Sequence, residues 1–180
     1  MVIVSSKMAA VRHWRTAKKY GQTIVLQEYV PHHEGEFSLG VLSLPMHGVV
    51  GSIALKKIFE SKFSLHSKSH VGVVSSPYSS GLIEEFIELR MYSESIARAV
   101  GSVGPMNIQG RIRNGTFLPF EINPRFSGSE YVRTMAGFNQ LDIYLTYLRT
   151  GEIKKMMPYH KGYYLRSLAE MYVPLEKVKL

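Results

Sequence analysis

The chain has 180 residues, 45% hydrophobic and 20% charged, with no cysteine and a formal net charge of +8. That length suits one domain with a real core. The missing cysteine excludes disulfides, thiol catalysis and thiolate-bound metals, and no run reaches the ~20 apolar residues that a bilayer crossing needs.

Ser5 or Ser6 is placed to cap a helix over 7–20, with Ala10, Val11, Trp14 and Ala17 as a core stripe and Gly21 as its stop. The opening stretch MVIVSSKMAAVRHW shows no signal-peptide pattern, and a cytoplasmic setting is expected. TIVLQEYV at 23–30 reads as a buried strand ended by Pro31. Strands follow over 37–45 and 49–59, with a turn at His47–Gly48, then polar loop or edge over 60–70 and a short strand from Val71. From Leu82 to Val100 the apolar spacing predicts a helix of about five turns, read as core-facing. Two strand-like runs surround Asn114–Gly115. Ser127 or Ser129 can cap a short helix to Ala136, and Asn139 a second one ending before Gly151. The order predicts an α+β fold, an antiparallel sheet with helices packed on one side.

The stretch GPMNIQGRIRNGTFLPFEINPRFSGSE, 104–130, holds the chemistry. Alternation puts Asn107, Gln109 and Arg111 on one face of the first strand and Glu121 and Asn123 on one face of the second. Whether those faces coincide depends on the turn. A two-residue turn at Asn114–Gly115 pairs Arg113 with Thr116 and sets Gln109 opposite Phe120. A three-residue loop sets Gln109 opposite Glu121. A shared site therefore requires the odd loop or a bulge. If shared, one carboxylate and two amides form a hard-oxygen set suited to Mg²⁺ or Mn²⁺ with phosphate oxygens, with Arg125 beside it. A polar, solvent-facing sheet face accounts for the same spacing.

GPMNIQ (104–109) followed by EINPR (121–125) resembles the closing motif of the ATP-grasp superfamily, nearest to the carbamoyl-phosphate synthase large chain. RTMAGFNQLD from Arg133, the hinge-like LQEYVP from Leu26 and GEFSLGVL from Gly35 are similar too. The resemblance implies that Gln109, Glu121 and Asn123 bind metals bridging the phosphates of ATP, and that Arg125 contacts phosphate or acyl phosphate. It implies that Glu28, Tyr29 and Val30 line the adenine hinge and that Glu36 faces the ribose. The implied reaction activates a carboxylate substrate as an acyl phosphate for attack by an amine-type nucleophile. Residues 1–30 would belong to the small subdomain and 31–180 to the C-terminal subdomain. No glycine-rich phosphate loop precedes Lys7, so the resemblance implies the C-terminal part of an ATP-grasp enzyme, whether cut from a longer chain, encoded by a split gene or a truncated relative; a separate chain supplying the N-terminal part is one of these alternatives, and self-association through exposed apolar surface is expected. The rival reading is a non-catalytic ATP-grasp module or interaction subunit.

The other candidates are weaker. The +8 balance suits an anionic partner, but there is no basic tail or nucleic-acid motif, so no nucleic acid is expected. His32, His33, His47, His66 and His70 make no zinc pattern, and His70 reads as surface more readily than as a phosphate contact. Lys56 and Lys57 end a strand, where one of the pair can point toward phosphate; a solvated edge charge fits at least as well. Ser127–Gly128–Ser129 reads as a helix cap or a phosphate-facing turn. Tyr159, Tyr163 and Tyr164 lack a basic groove beside them.

Overall fold

The computed structural model describes residues 2–59, 66–68, 73–75, 79–154 and 158–166. Helix α1 (Lys7–Lys19) starts where Ser6 Oγ accepts from the Ala9 amide at 3.2 Å, and Gly21 leaves it at φ +67°. Its stripe is not core: only Ala17 is buried, and Trp14 is 45% exposed. The helix carries Lys7, Arg12, Arg15, Lys18 and Lys19 with no acidic residue in its first turn, so charge surrounds a thin apolar side.

The segment 23–30 forms no sheet strand, with Val25 and Leu26 exposed. An extended chain becomes a strand only beside a partner backbone, and among the described residues none pairs with it. Strands β1 (Glu36–Leu44) and β2 (Gly48–Lys57) form a hairpin turning through Met46 and Gly48, both at positive φ. Further along come β3 (His66–Lys68) paired with β4 (Val73–Ser75), then β5 (Gly81–Ile83) and α2 (Ile87–Ala99). Leu82 and Ile83 thus belong to a strand, not to the predicted helix: β5 hydrogen-bonds β2 opposite Leu55 and Lys56, and tertiary pairing outweighs the helical spacing. The chain continues through β6 (Gly104–Arg113), β7 (Thr116–Asn123), α3 (Glu130–Met135), α4 (Gln140–Thr150) and β8 (Gly162–Tyr164). Asn139 caps α4 as expected, its Oδ1 accepting from Asp142 N at 3.0 Å.

The fold is α+β. One antiparallel sheet runs β7-β6-β1-β2-β5-β8. β1 is buried along its whole length, so both of its faces need cover. Phe37, Leu39 and Val41 pack with Ala54, Met106 and Ile108 under α2. Leu42 and Leu44 pack with Ile53, Leu55 and Ile83 against α3, α4 and Phe138. The helices therefore divide between the faces instead of sharing one. Beyond Leu42, the α3/α4 face turns polar: Glu36 and Ser38 of β1, Lys57 of β2, and Asn107, Gln109 and Arg111 of β6 replace apolar side chains there.

Candidate functional site

The hairpin β6–β7 closes with a two-residue turn, Arg113 opposite Thr116, and Asn114 (φ +52°) and Gly115 (φ +72°) both in the left-handed region. That is the type I′ geometry an Asn-Gly pair favours. The odd loop does not occur. A bulge between Gln109 and Gly110 takes its place: Gly110 faces Pro119, Phe120 is extra, and Gln109 faces Glu121. Proline has no N–H to give a ladder, so a strand tolerates it beside such an irregularity. The bulge returns Gln109, Glu121 and Asn123 to one face.

There Glu121 is the common acceptor. Gln109 Nε2 donates to its Oε2 at 3.0 Å and Asn123 Nδ2 to its Oε1 at 2.7 Å. Amide rotation would present two oxygens beside the carboxylate, a set that fits a hydrated divalent ion shared with phosphate. Among the described residues no three His, Asp or Glu side chains gather into a metal-binding group, so this set rests on the Glu121 carboxylate with the two amides.

Next to this edge lies a cavity of about 430 Å³. Its floor is the polar face of the sheet; Arg125 and 127–129 line it, and the segments 2–4 and 25–30 form the facing wall. Glu36, fully buried, holds two cations: Arg111 Nε and Nη2 each sit 2.7 Å from Oε2, and Lys57 Nζ 3.1 Å from Oε1. Lys57 also donates to Gln109 Oε1 at 2.9 Å. Burial pushes the Lys57 pKa below the ordinary lysine value, and Glu36 works against that shift. Arg111 reaches on to the Val30 carbonyl at 2.6 Å and lies 5.1 Å from the centre of the Tyr29 ring. Gln27 Nε2 donates to the carbonyl of the bulged Phe120 at 3.1 Å. These contacts tie the 25–30 wall to the hairpin. Glu28 turns outward to Arg113 at 2.6 Å.

The residues named from the sequence thus fall into two groups. Glu28, Tyr29, Val30, Glu36, Gln109, Glu121 and Arg125 all line the cavity. Asn123 stands at its edge through Glu121. Arg125 Nη1 donates to the Phe126 carbonyl at 2.9 Å. Ser129 begins α3 without a side-chain cap bond. His70 lies outside the described residues.

Arg133 escaped the sequence reading as a site residue. It is fully buried beneath the polar floor and donates to Asn107 Oδ1 at 2.6 Å and Ser38 Oγ at 3.0 Å. Glu130 lies 3.6 Å from it, and burial lowers its pKa to about 10 while Glu130 pulls the other way. Its guanidinium fills the space that a side chain on Gly40 would take. A glycine inside a buried strand is the available signal, because it marks close approach by another group.

Residues 75–171 match the family model described as ATP-grasp in the biosynthetic pathway with Ter operon. That span covers the β6–β7 hairpin and α2, α3 and α4, more than half of the 180-residue chain. No curated protein matches the chain.

Proposed function

Because the chain belongs to the ATP-grasp family of the biosynthetic pathway with Ter operon, we propose that it is the ATP- and Mg²⁺-binding part of a ligase of the carbamoyl-phosphate synthase kind. In that reaction a substrate carboxylate oxygen attacks the γ-phosphorus, ADP leaves, and an amine-type nucleophile then displaces phosphate from the acyl carbon. The observation that carries this reading is the convergence of Gln109, Glu121 and Asn123 at the rim of a cavity lined by Arg125.

Tyr29 and Val30, with the backbone of Glu28, form the adenine wall, and Glu36 faces the ribose with its carboxylate oriented by Arg111. Arg125 steadies the transferred phosphoryl group by charge and geometry, the main demands of such chemistry. Gln109, Glu121 and Asn123 would hold Mg²⁺ or Mn²⁺. The ion, when bound, neutralises phosphate charge. On this reading residues 1–30 belong to the small subdomain and 31–180 to the C-terminal one, in a cytoplasmic protein. Among the described residues no helix is long and apolar enough to cross a membrane.

A second reading has its own support. Val25 is 80% and Leu26 65% exposed beside the cavity, which favours a module completed by a separate chain or by a second copy covering that wall. Calorimetric titration with a non-hydrolysable ATP analogue, with and without Mg²⁺, separates the two. Metal-dependent binding that Glu121→Ala abolishes supports the first. Intact metal-dependent binding in Glu121→Ala removes Glu121 as a ligand. No binding by the wild type leaves the second reading.

A further inference from the structure

One buried side chain of the cavity floor has no role so far. Asn107 is only 2% exposed, yet it lines the cavity. It stands directly across the ladder from Asn123 and shares a face with Glu121. Unlike an amide at the rim, it cannot turn over to offer its oxygen there.

The reason is its partner below. A guanidinium carries donors and no acceptor, so the end of an amide that meets it must be the oxygen. Arg133 Nη2 donates to Asn107 Oδ1 at 2.6 Å, and Ser38 Oγ donates to the same oxygen at 3.0 Å. Ser38 Oγ in turn accepts from Arg133 Nη2 at 3.0 Å, which closes a ring of hydrogen bonds beneath the floor. Rotating the amide would set its NH₂ against the guanidinium and break both bonds to Oδ1. Nδ2 is the opposite end of that planar group. Among the described residues it has no hydrogen-bond partner, and it is not one of the buried polar atoms left without one. It is therefore open to the cavity. A charged donor on the oxygen also polarises the amide, which strengthens Nδ2–H as a donor. An NH₂ group cannot ligate a metal, so its complement is an acceptor oxygen. Beside Asn123 and Glu121, where the phosphates would meet a metal, that oxygen belongs to a phosphate.

We propose that Asn107 binds the nucleotide by donating Nδ2–H to a phosphate oxygen, with Arg133 as the positioning residue that fixes the direction of the amide. This rests on the ATP reading. The donor is held in place before the ligand arrives, so little side-chain freedom is lost on binding.

The test compares a ligand that carries phosphates with one that does not. The whole chain, wild type and Asn107→Asp, is titrated with the non-hydrolysable ATP analogue in Mg²⁺ and with adenosine. Aspartate still accepts from Arg133 and Ser38, so the variant is expected to fold, but it has lost the donor. A hydrogen bond to a charged group predicts roughly 10- to 100-fold weaker analogue binding and unchanged adenosine binding. Undiminished analogue binding would overturn the proposal, and so would equal losses for both ligands, which would assign Asn107 a structural task. The wild type gives a direct reading in ¹⁵N-labelled protein. The side-chain NH₂ signal that Asn107→Asp removes should move downfield with the analogue and stay in place with adenosine. If it does not move, a loss in Asn107→Asp is repulsion by the new charge, and the proposal fails. In Arg133→Met the same signal should no longer respond to the analogue; an undiminished response would remove Arg133 as the positioning residue. A wild type that binds adenosine but gains nothing from the phosphates refutes the Asn107 role alone. One that binds neither ligand refutes the ATP reading and this proposal with it.

Discussion

Gly40→Ala tests the buried floor of the site. A Cβ built on Gly40 would stand 2.6 Å from Arg133 Nη1, 2.7 Å from its Cζ and 3.0 Å from its Nε. The obstacle is a planar guanidinium tied to Asn107 at 2.6 Å and Ser38 at 3.0 Å, so it has no free end to swing aside. Overpacking alone costs about 1–3 kcal/mol. Breaking a hydrogen bond to a charged group adds about 1.5–3 kcal/mol. With partial relaxation we expect a loss of about 2–4 kcal/mol, a large part of a typical domain's stability. Urea unfolding followed by circular dichroism should show a lower midpoint with an unchanged slope. The decisive comparison is Arg133→Met. In that background the guanidinium is gone, and Gly40→Ala should cost under about 1 kcal/mol, a coupling typical of residues in contact. An equal penalty in both backgrounds, or none in the wild type, would refute the idea that Gly40 is small to house Arg133.

Gly110→Ala should disturb the bulge, since its Cβ would meet Leu118 O at 2.6 Å and the Phe117 ring at 2.3 Å; we expect both a lower melting temperature and weaker metal-dependent nucleotide binding, and a change in stability alone would separate the bulge from the site. Gly115→Ala should cost about 1–2 kcal/mol in thermal melts, because a left-handed φ disfavours a Cβ, while Asn114→Gly should be near neutral. Glu34 accepts the Asn114 and Gly115 amides at 2.9 and 3.2 Å, and those bonds hold its pKa below 4.5. A depressed carboxylate contributes stability above its unfolded pKa and loses it as pH falls through the folded value. Glu34→Gln should therefore flatten the stability–pH curve below about pH 4.5, and an unchanged acid limb would show that the turn does not depend on this charge.

Much of the frame was legible in the sequence. Ser6, Asn139, Gly21 and Gly151 marked helix ends through local bonding that needs no tertiary context. The β1–β2 and β6–β7 hairpins followed from alternation and turn residues. What failed depended on partners distant in sequence. Residues 23–30 carry strand-like side chains but, among the described residues, no strand pairs with them, and Leu82 and Ile83 carry helical spacing but sit beside β2. The hairpin register was legible only as a choice, because an Asn-Gly turn and a shared site conflict unless a bulge intervenes; Pro119, with no N–H for the ladder, is a signal for that bulge that the sequence reading did not use. Lys57 and Arg133 were harder still. Buried cations are rare, so the sequence left Lys57 open between a solvated edge charge and a phosphate-facing one, and offered no reason to read a helical arginine such as Arg133 as part of a site.

Among the described residues β7 is the outermost strand of its sheet, bonded to β6 alone. Glu121 and Asn123 ride on it, while Gln109 rides on β6, whose other edge is held by β1. Edge strands open at a fraction of the global unfolding free energy. Anything that bridges Gln109 and Glu121 therefore works as a clasp, fastening a fraying margin to a rigid interior. Amide exchange along 116–123 should slow when the site fills while exchange in β1 stays as it was, so occupancy would be reported by the border of the sheet and not by its centre.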